Sequence, residues 1–294
     1  MKEKHGRFKD EYVLSLYDRH LKGESLGDIA KSLSRDPSTI SKLFSKRGLK
    51  TLKKDNRYNN KYSKYTINSY YFKNIDSHEK AYWVGFIMAD GCIVEKSENS
   101  KYLTIGLQLR DKEVLERFLS IINCNKPIYE YKVHKTNSFN CKIDICDLNI
   151  CNDLINLGVH PNKTNIDFKL PNISKEYYNS FIYGYFDGDG CIYKYRNPLK
   201  SEYYGISICS PTIKILEDIQ NVLKENNIYS RISTDRRSLR GDLMNMHNLC
   251  ITRQNETLKM IHFMTKDFNN GLNRKLEKIN QANTVLTDKL KNNR

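Results

Sequence analysis

Hydrophobic positions along this chain change period several times, and the changes divide it into sections. From Phe8 to Lys46 they recur at helical spacing. Phe8, Tyr12, Leu16 and Leu21 predict one helix over Phe8–Leu21. Ser25 can accept a hydrogen bond from the free N–H groups that open a helix, and it precedes a second one over Leu26–Leu33. There Leu26, Ile29, Ala30 and Leu33 share a side. The break Ser34-Arg35-Asp36 leads through Pro37 into a third helix ending at Lys46. Ile40, Leu43 and Phe44 point inward on it, and Ser38, Thr39, Ser41 and Lys42 outward. Residues 52–65 have no apolar period and alternate basic residues with Asn and Tyr, the composition of a linker.

Beyond residue 75 the pattern repeats. WVGFIMADGCIV at 83–94 corresponds to IYGYFDGDGCIY at 182–193, with Asp90 and Asp189 lying 99 residues apart. That interval is too long for a solenoid and suits two duplicated subdomains. Each motif ends an apolar helix that begins near Ser77 or Ser174. A short strand follows (Cys92–Lys96; Cys191–Arg196), then an alternating one. Ile105, Leu107 and Leu109 face inward in the first alternating strand, Tyr204, Ile206 and Ile208 in the second. A helix comes next, capped by Asp111 or by Ser210 before Pro211. A hairpin follows (Ile128–His134 with Phe139–Cys146; Ile228–Thr234 with Leu249–Gln254), and a last helix closes each unit. Period-2 alternation implies sheets with one buried and one wet face, the wet face carrying Gln108, Arg110, Lys142, Lys194, Arg196 and Arg231. The expected fold class is α+β. Its divisions are an all-α head at 1–51, a basic linker at 52–74, and subdomains at 75–170 and 171–294.

Charge narrows the partner. The formal balance is +15, of which residues 1–64 carry +9, a field that draws polyanions. Nucleic acid is the expected partner, because no basic amphipathic helix with a strong apolar face accompanies the charge. No run approaches the ~20 apolar residues of a membrane span, and the first residues lack an apolar leader, so a cytoplasmic location is expected. The eight cysteines form no CxxC pair and are expected as free thiols.

The repeated motif has its own chemical logic. Gly85 is followed four residues later by Ala89, and Gly184 by Gly188, giving each helix a strip with almost no side chain. Two such strips let the helix axes approach, which sets Asp90 and Asp189 side by side. Adjacent carboxylates repel unless a cation lies between them, and hard oxygen donors with open positions suit Mg²⁺.

The two copies resemble the motif that names the LAGLIDADG homing endonucleases, over about residues 79–285. The resemblance implies two tandem αββαββα subdomains with pseudo-twofold symmetry and antiparallel saddle-shaped sheets. It implies a monomer that cuts both strands of a long double-stranded DNA site across the minor groove, leaving short 3′ overhangs. Mg²⁺ would be the cofactor, with Mn²⁺ able to substitute and Ca²⁺ supporting binding without cleavage. Asp90 and Asp189, with the backbone of Ala89 and Gly188, would hold metal. Asp187, opposite Met88, would not. Asp111 and Ser210 match a position where the family orders water, and Lys163 and Lys275 match two where it keeps a basic residue near the scissile phosphates. The head resembles the helix-turn-helix family, whose second motif helix, here Pro37–Lys46, enters the major groove. Two alternatives share the scaffold, an RNA-splicing maturase and a DNA-binding transcription regulator; intact acids at 90 and 189 disfavour both. Ends without a splicing nucleophile or a His-Asn pair favour a free-standing or intron-encoded origin over a protein-splicing element.

Overall fold

The computed structural model describes residues 8–21, 24–49, 65–134, 137–161, 167–196, 202–239 and 242–292. The chain forms two compact units, 1–63 and 64–294.

In the first unit α1 (Asp10–Leu21), α2 (Leu26–Ser32) and α3 (Pro37–Ser45) enclose Val13, Leu16, Ile29, Ala30, Ile40 and Phe44. Both caps are local. The Ser25 hydroxyl accepts from the Asp28 N–H at 3.1 Å, and the Asp36 carboxylate from the Ser38 N–H at 2.8 Å. Ser34 adopts φ 51°, which reverses the chain between α2 and α3. The inward stripe of α1 is Val13, Leu16 and His20, and Leu21 is half exposed. Of the expected stripe, Leu16 lies in the core and Phe8 and Tyr12 pack against it, while Leu21 falls off this face because five residues advance about 140° around a helix.

The second unit runs α4 (His78–Asp90), β1 (Gly91–Ser97), β2 (Ser100–Gln108), α5 (Lys112–Ile121), β3 (Tyr129–Val133), β4 (Ser138–Ile145) and α6 (Leu148–Asn156). The order then recurs as α7 (Tyr178–Asp189), β5 (Gly190–Arg196), β6 (Glu202–Ser210), α8 (Ile213–Glu225), β7 (Arg231–Leu239), β8 (Asp242–Ile251) and α9 (Gln254–Thr265). Both sheets are antiparallel and four-stranded, with the same strand order, β1-β2-β4-β3 and β5-β6-β8-β7. Their inner faces, among them Ile93, Ile105, Ile143, Ile192, Ile206 and Leu249, join the helices in one continuous core around α4 and α7. Equivalent helices also stop alike. Asn123 and Asn227 take φ 51° and 57°, and the next N–H groups, of Cys124 and Ile228, bond back to Leu119 and Leu223.

Several expectations are corrected. The second hairpin, expected at 228–234 and 249–254, starts at Arg231, ends at Ile251 and reaches further toward its turn, to Leu239 and Asp242, where polar and charged residues leave no alternation to read. A further helix, the 20-residue α10 (Asn273–Asn292), follows α9 and buries Ile279, Ala282 and Leu286. Residues 65–74, expected to end the linker, pack on the body through Tyr71 and Phe72. Arg110 lies in a 3-10 turn, Leu109–Asp111, and not on a strand. Neither expected helix cap forms: Asp111 makes no capping bond, and Ser210 ends β6 two residues ahead of the α8 cap position, Thr212. Among the described residues no helix is long and apolar enough to cross a membrane. All eight cysteines are free.

Candidate active site

The site is built on the contact between α4 and α7. Both helices are buried on every side for most of their length, as the near-continuous apolar sequence of each requires. A β-carbon at Gly85 would overlap the Phe181 carbonyl oxygen and come within 2.9 Å of the Tyr185 nitrogen. One at Gly184 would overlap the Tyr82 carbonyl oxygen and lie 2.9 Å from the Phe86 nitrogen. One at Gly188 would overlap Ala89 and lie 3.4 Å from the carboxyl carbon of Asp90. Backbone therefore meets backbone here, and the helices end side by side. Asp90 and Asp189, the last residues of each, are exposed, and the chain passes directly into β1 and β5 through Gly91 and Gly190.

Beneath these two acids lies a buried polar cluster. Asp187 is fully buried, and its Oδ2 accepts from the Tyr82 hydroxyl and from the Leu272 N–H, both at 2.7 Å. Its Oδ1 has no hydrogen-bond partner among the described residues. Burial pushes this carboxyl up to about 6, against the pull of Lys275. Its counterpart Met88 is likewise buried, so neither points to solvent.

Lys275 is only 5 % exposed. Its ammonium donates to the carbonyls of Gly190 (2.6 Å), Phe186 (2.7 Å), Asp187 (2.7 Å) and Gly188 (3.4 Å). The first three of these residues in the chain, Phe186, Asp187 and Gly188, end α7 at the negative pole of its dipole, where the Phe186 carbonyl also accepts from the Gly190 N–H; Gly190 opens β5. Burial lowers the Lys275 pKa, while Asp187, Asp90 and Asp189 act to raise it. The sequence suggested a lysine presented to a phosphate. The structure has one turned inward, onto four carbonyls that converge at the end of α7 and the start of β5. The Gly188 carbonyl, expected as a metal ligand, has this ammonium beside it.

Asp111 is similarly committed. It is buried, and both of its carboxylate oxygens accept from Nε of Arg274, the second residue of α10, at 3.1 Å. Nearby, Arg117 of α5 donates to Asn270 at 2.6 Å and to the Gly271 carbonyl at 3.2 Å, and stacks over Trp83. Residues 270–275 are thus gripped by both halves of the body. Neither Arg274 nor Arg117 was singled out in the sequence, since nothing local marks a partner more than 150 positions away.

The remaining candidates divide by strand register. Gln108 and Lys142 lie on the outward face of the first sheet, where Lys142 pairs with Asp144 at 3.2 Å. Arg231 lies on the outward face of the second, opposite Cys250. Lys194 shares the face of Ile192 and Tyr204 instead, and its ammonium reaches Glu202 at 2.7 Å. Arg196 has the same parity by backbone register, and its side chain lies outside the described residues, as does Lys163. Arg110 is exposed on its 3-10 turn. On α3, Ser38, Thr39 and Lys42 are exposed and Ser41 partly so.

The donor set is all oxygen at the helix ends. Among the described residues no cluster of three or more His, Cys, Asp or Glu is arranged to hold a metal. Two exposed carboxylates fit a hard divalent cation whose other ligands come from water or substrate oxygens, as is usual for Mg²⁺.

Residues 176–259, from the turn before α7 into α9, match the family model described as LAGLIDADG-like domain. Among solved structures the chain is similar to the I-LtrWI LAGLIDADG homing endonuclease bound to target DNA. The identity is 15%, the TM-score 0.49, and 76% of this chain and 92% of that one are covered. It is also similar to the LAGLIDADG meganuclease I-AabMI bound to uncleaved DNA, at 14% identity and TM-score 0.46, covering 71% and 91%. I-SmaMI bound to uncleaved DNA in the presence of calcium ions gives 11% and 0.49, covering 72% and 92%. No curated protein matches the chain.

Proposed function

We propose that the chain is a site-specific double-strand DNA endonuclease of the LAGLIDADG homing type, hydrolysing one phosphodiester in each strand. The observation that carries this is the close packing of α4 on α7, which brings the exposed Asp90 and Asp189 to one place. Two acids at the ends of two like-ordered halves match a task done twice, once per strand. The family match over 176–259 and the +15 balance support the same reading. Here 75–170 and 171–294 are subdomains related by pseudo-twofold symmetry, and the protein acts as a monomer.

Asp90 and Asp189 would hold the divalent ion, with the Ala89 and Gly188 carbonyls close by. Bound Mg²⁺, or Mn²⁺ in its place, would stabilise charge on the attacking and leaving oxygens. The chain's own residues hold the two acids in position and supply positive charge around the phosphodiester. Outward residues such as Gln108, Lys142 and Arg231 reach base edges and phosphates, since Gln suits adenine and Arg guanine through paired hydrogen bonds. The head, read as a helix-turn-helix within 1–51 and tethered by the linker, would place α3 in a major groove with Ser38, Thr39, Ser41 and Lys42 outward. Incubation with a randomised duplex library in Mg²⁺ and in Ca²⁺, with sequencing of ends and of the bound fraction, tests this. Ends at one long, roughly palindromic site in Mg²⁺ alone are expected. Selective binding without cutting in either ion would overturn the nuclease and favour a regulator; no DNA binding would point to structured RNA.

A further inference from the structure

The outward faces of the two sheets differ at the ends away from Asp90 and Asp189. Counted from those aspartates, Val94 and Lys96 of β1 stand where β5 has Tyr193 and Tyr195. Both tyrosines share the outward face with Cys191, and Tyr195 pairs in register with Tyr203 of β6. The Tyr195 and Tyr203 rings stack at 5.5 Å with 21° between their planes, and Tyr193 lies 6.1 Å from Tyr195. Gly205, opposite Tyr193, makes room for this, since a β-carbon there would stand 2.6 Å from the Tyr193 phenol. That ring therefore lies across β6. The Tyr195 hydroxyl donates to the Thr252 carbonyl at 3.4 Å, yet 39% of the residue is exposed. Its polar end is turned onto the protein while much of the rest meets solvent. Cations border the patch. Lys289 of α10 sits 4.9 Å over the Tyr203 ring, held by the Glu202 carbonyl. Arg231 is exposed one row nearer the motif end, in line with Cys191 across the sheet.

We propose that this patch binds a single strand of DNA by stacking on its unpaired bases. Base edges in a duplex groove are read by side chains with paired donors and acceptors, and a tyrosine ring has no such fork. What a ring offers is its face. The matching face of a base is covered by its neighbours in a duplex and open in a single strand. Lys289 and Arg231 supply positive charge for the phosphates on either side. The strand is DNA because the Tyr195 hydroxyl is engaged and Gly205 has no side chain, so neither is offered to a ribose 2′-hydroxyl. The first sheet has a stacked pair of its own, Tyr129 and Tyr131 at 5.6 Å, but the cation over Tyr129 is Lys142, which Asp144 neutralises at 3.2 Å. The single-strand site therefore belongs to the second half.

Stacking on single strands lies beyond the endonuclease reading, and testing it needs no cleavage. Affinities of the full chain in Ca²⁺ are measured for an oligothymidylate, an abasic strand of equal length, the duplex with oligoadenylate, and an oligouridylate. Oligothymidylate should bind on the order of 10-fold more tightly than the abasic strand, which has the same charges and no rings. Tyr195→Ala and Tyr203→Ala should each lower that affinity on the order of 10-fold and leave the duplex unchanged. Tyr195→Phe keeps the ring and should bind normally, which holds the test open should the alanine variants fold poorly; a folded Tyr195→Phe that no longer binds would count against stacking. In Tyr195→Trp the added indole should be quenched by oligothymidylate and not by the abasic strand, against a constant background from buried Trp83. Equal binding of the abasic strand, equal losses on duplex and single strand, or an effect of Tyr129→Ala as large as that of Tyr195→Ala would overturn the assignment. Tighter binding of oligouridylate than of oligothymidylate would overturn the choice of DNA.

Discussion

Replacing Gly85 by alanine adds one methyl group at the point where α4 and α7 touch. That carbon would overlap the Phe181 carbonyl oxygen and stand 2.9 Å from both the Phe181 carbonyl carbon and the Tyr185 nitrogen. Comfortable non-bonded contact is about 3.5–4.0 Å, so the backbones must part by roughly 0.6 Å even against the nitrogen and by more against the oxygen. Neither neighbour is a flexible side chain that could swing aside. Separations of 0.5–1 Å forfeit about a quarter to a half of each contact's attraction along the interface. That interface includes fully buried Tyr82, Phe86, Phe181 and Tyr185. Overpacking costs typically about 1–3 kcal/mol and more against rigid neighbours, so we expect about 3–5 kcal/mol for Gly85→Ala. In a body of this size the thermal midpoint should fall on the order of 10 °C. Gly106→Ala is the matched control, because its nearest neighbour to an added carbon is Lys142 Cβ at 3.9 Å. Urea and thermal denaturation of both variants provide the measurement. A Gly85→Ala midpoint indistinguishable from that of Gly106→Ala would refute the claim that bare backbone contact holds the two aspartates together.

Four further outcomes are expected. Asp189→Asn should retain DNA binding in Ca²⁺ and lose cleavage in Mg²⁺, measured by gel shift and end-labelled digestion; normal cutting would remove Asp189 from the site. Asp187, raised to about 6 by burial, should contribute to stability when protonated. A raised folded-state pKa means that this contribution is complete below the unfolded value near 4 and is lost as pH rises through about 6. Over that window the loss is about 3 kcal/mol, and Asp187→Asn should flatten the corresponding part of the stability curve; an unchanged curve would contradict the burial argument. Lys275→Met should strip a buried donor from the carbonyls of Phe186, Asp187, Gly188 and Gly190 and lower the denaturation midpoint sharply, whereas an exposed lysine would tolerate the change. Ser25→Ala removes the bond from the Asp28 N–H and should cost the head about 1 kcal/mol, read from the head's own unfolding transition.

What could be read from the chain alone were the features that local rules control. Strand faces follow from alternation, so Ile105, Leu107, Ile206 and Ile208 were assignable from their neighbours. The repeat exposed the paired order of elements, and the glycines four residues ahead of Ala89 and Gly188 marked strips for close packing. Charged residues were less legible, because Lys142 and Lys194 look alike in the sequence while register puts them on different kinds of face. The outer end of the β7–β8 hairpin and α10 escaped because neither combines a clear period with a start signal. The roles of Lys275, Arg274 and Asp111 were beyond any sequence rule. A lysine turns inward only where four carbonyls converge, and those carbonyls belong to a helix end some 85–89 residues earlier. Arg274 meets Asp111 across 163 residues of chain. Periodicity reports which side of an element is buried; only the packed structure decides which distant charge is buried against it.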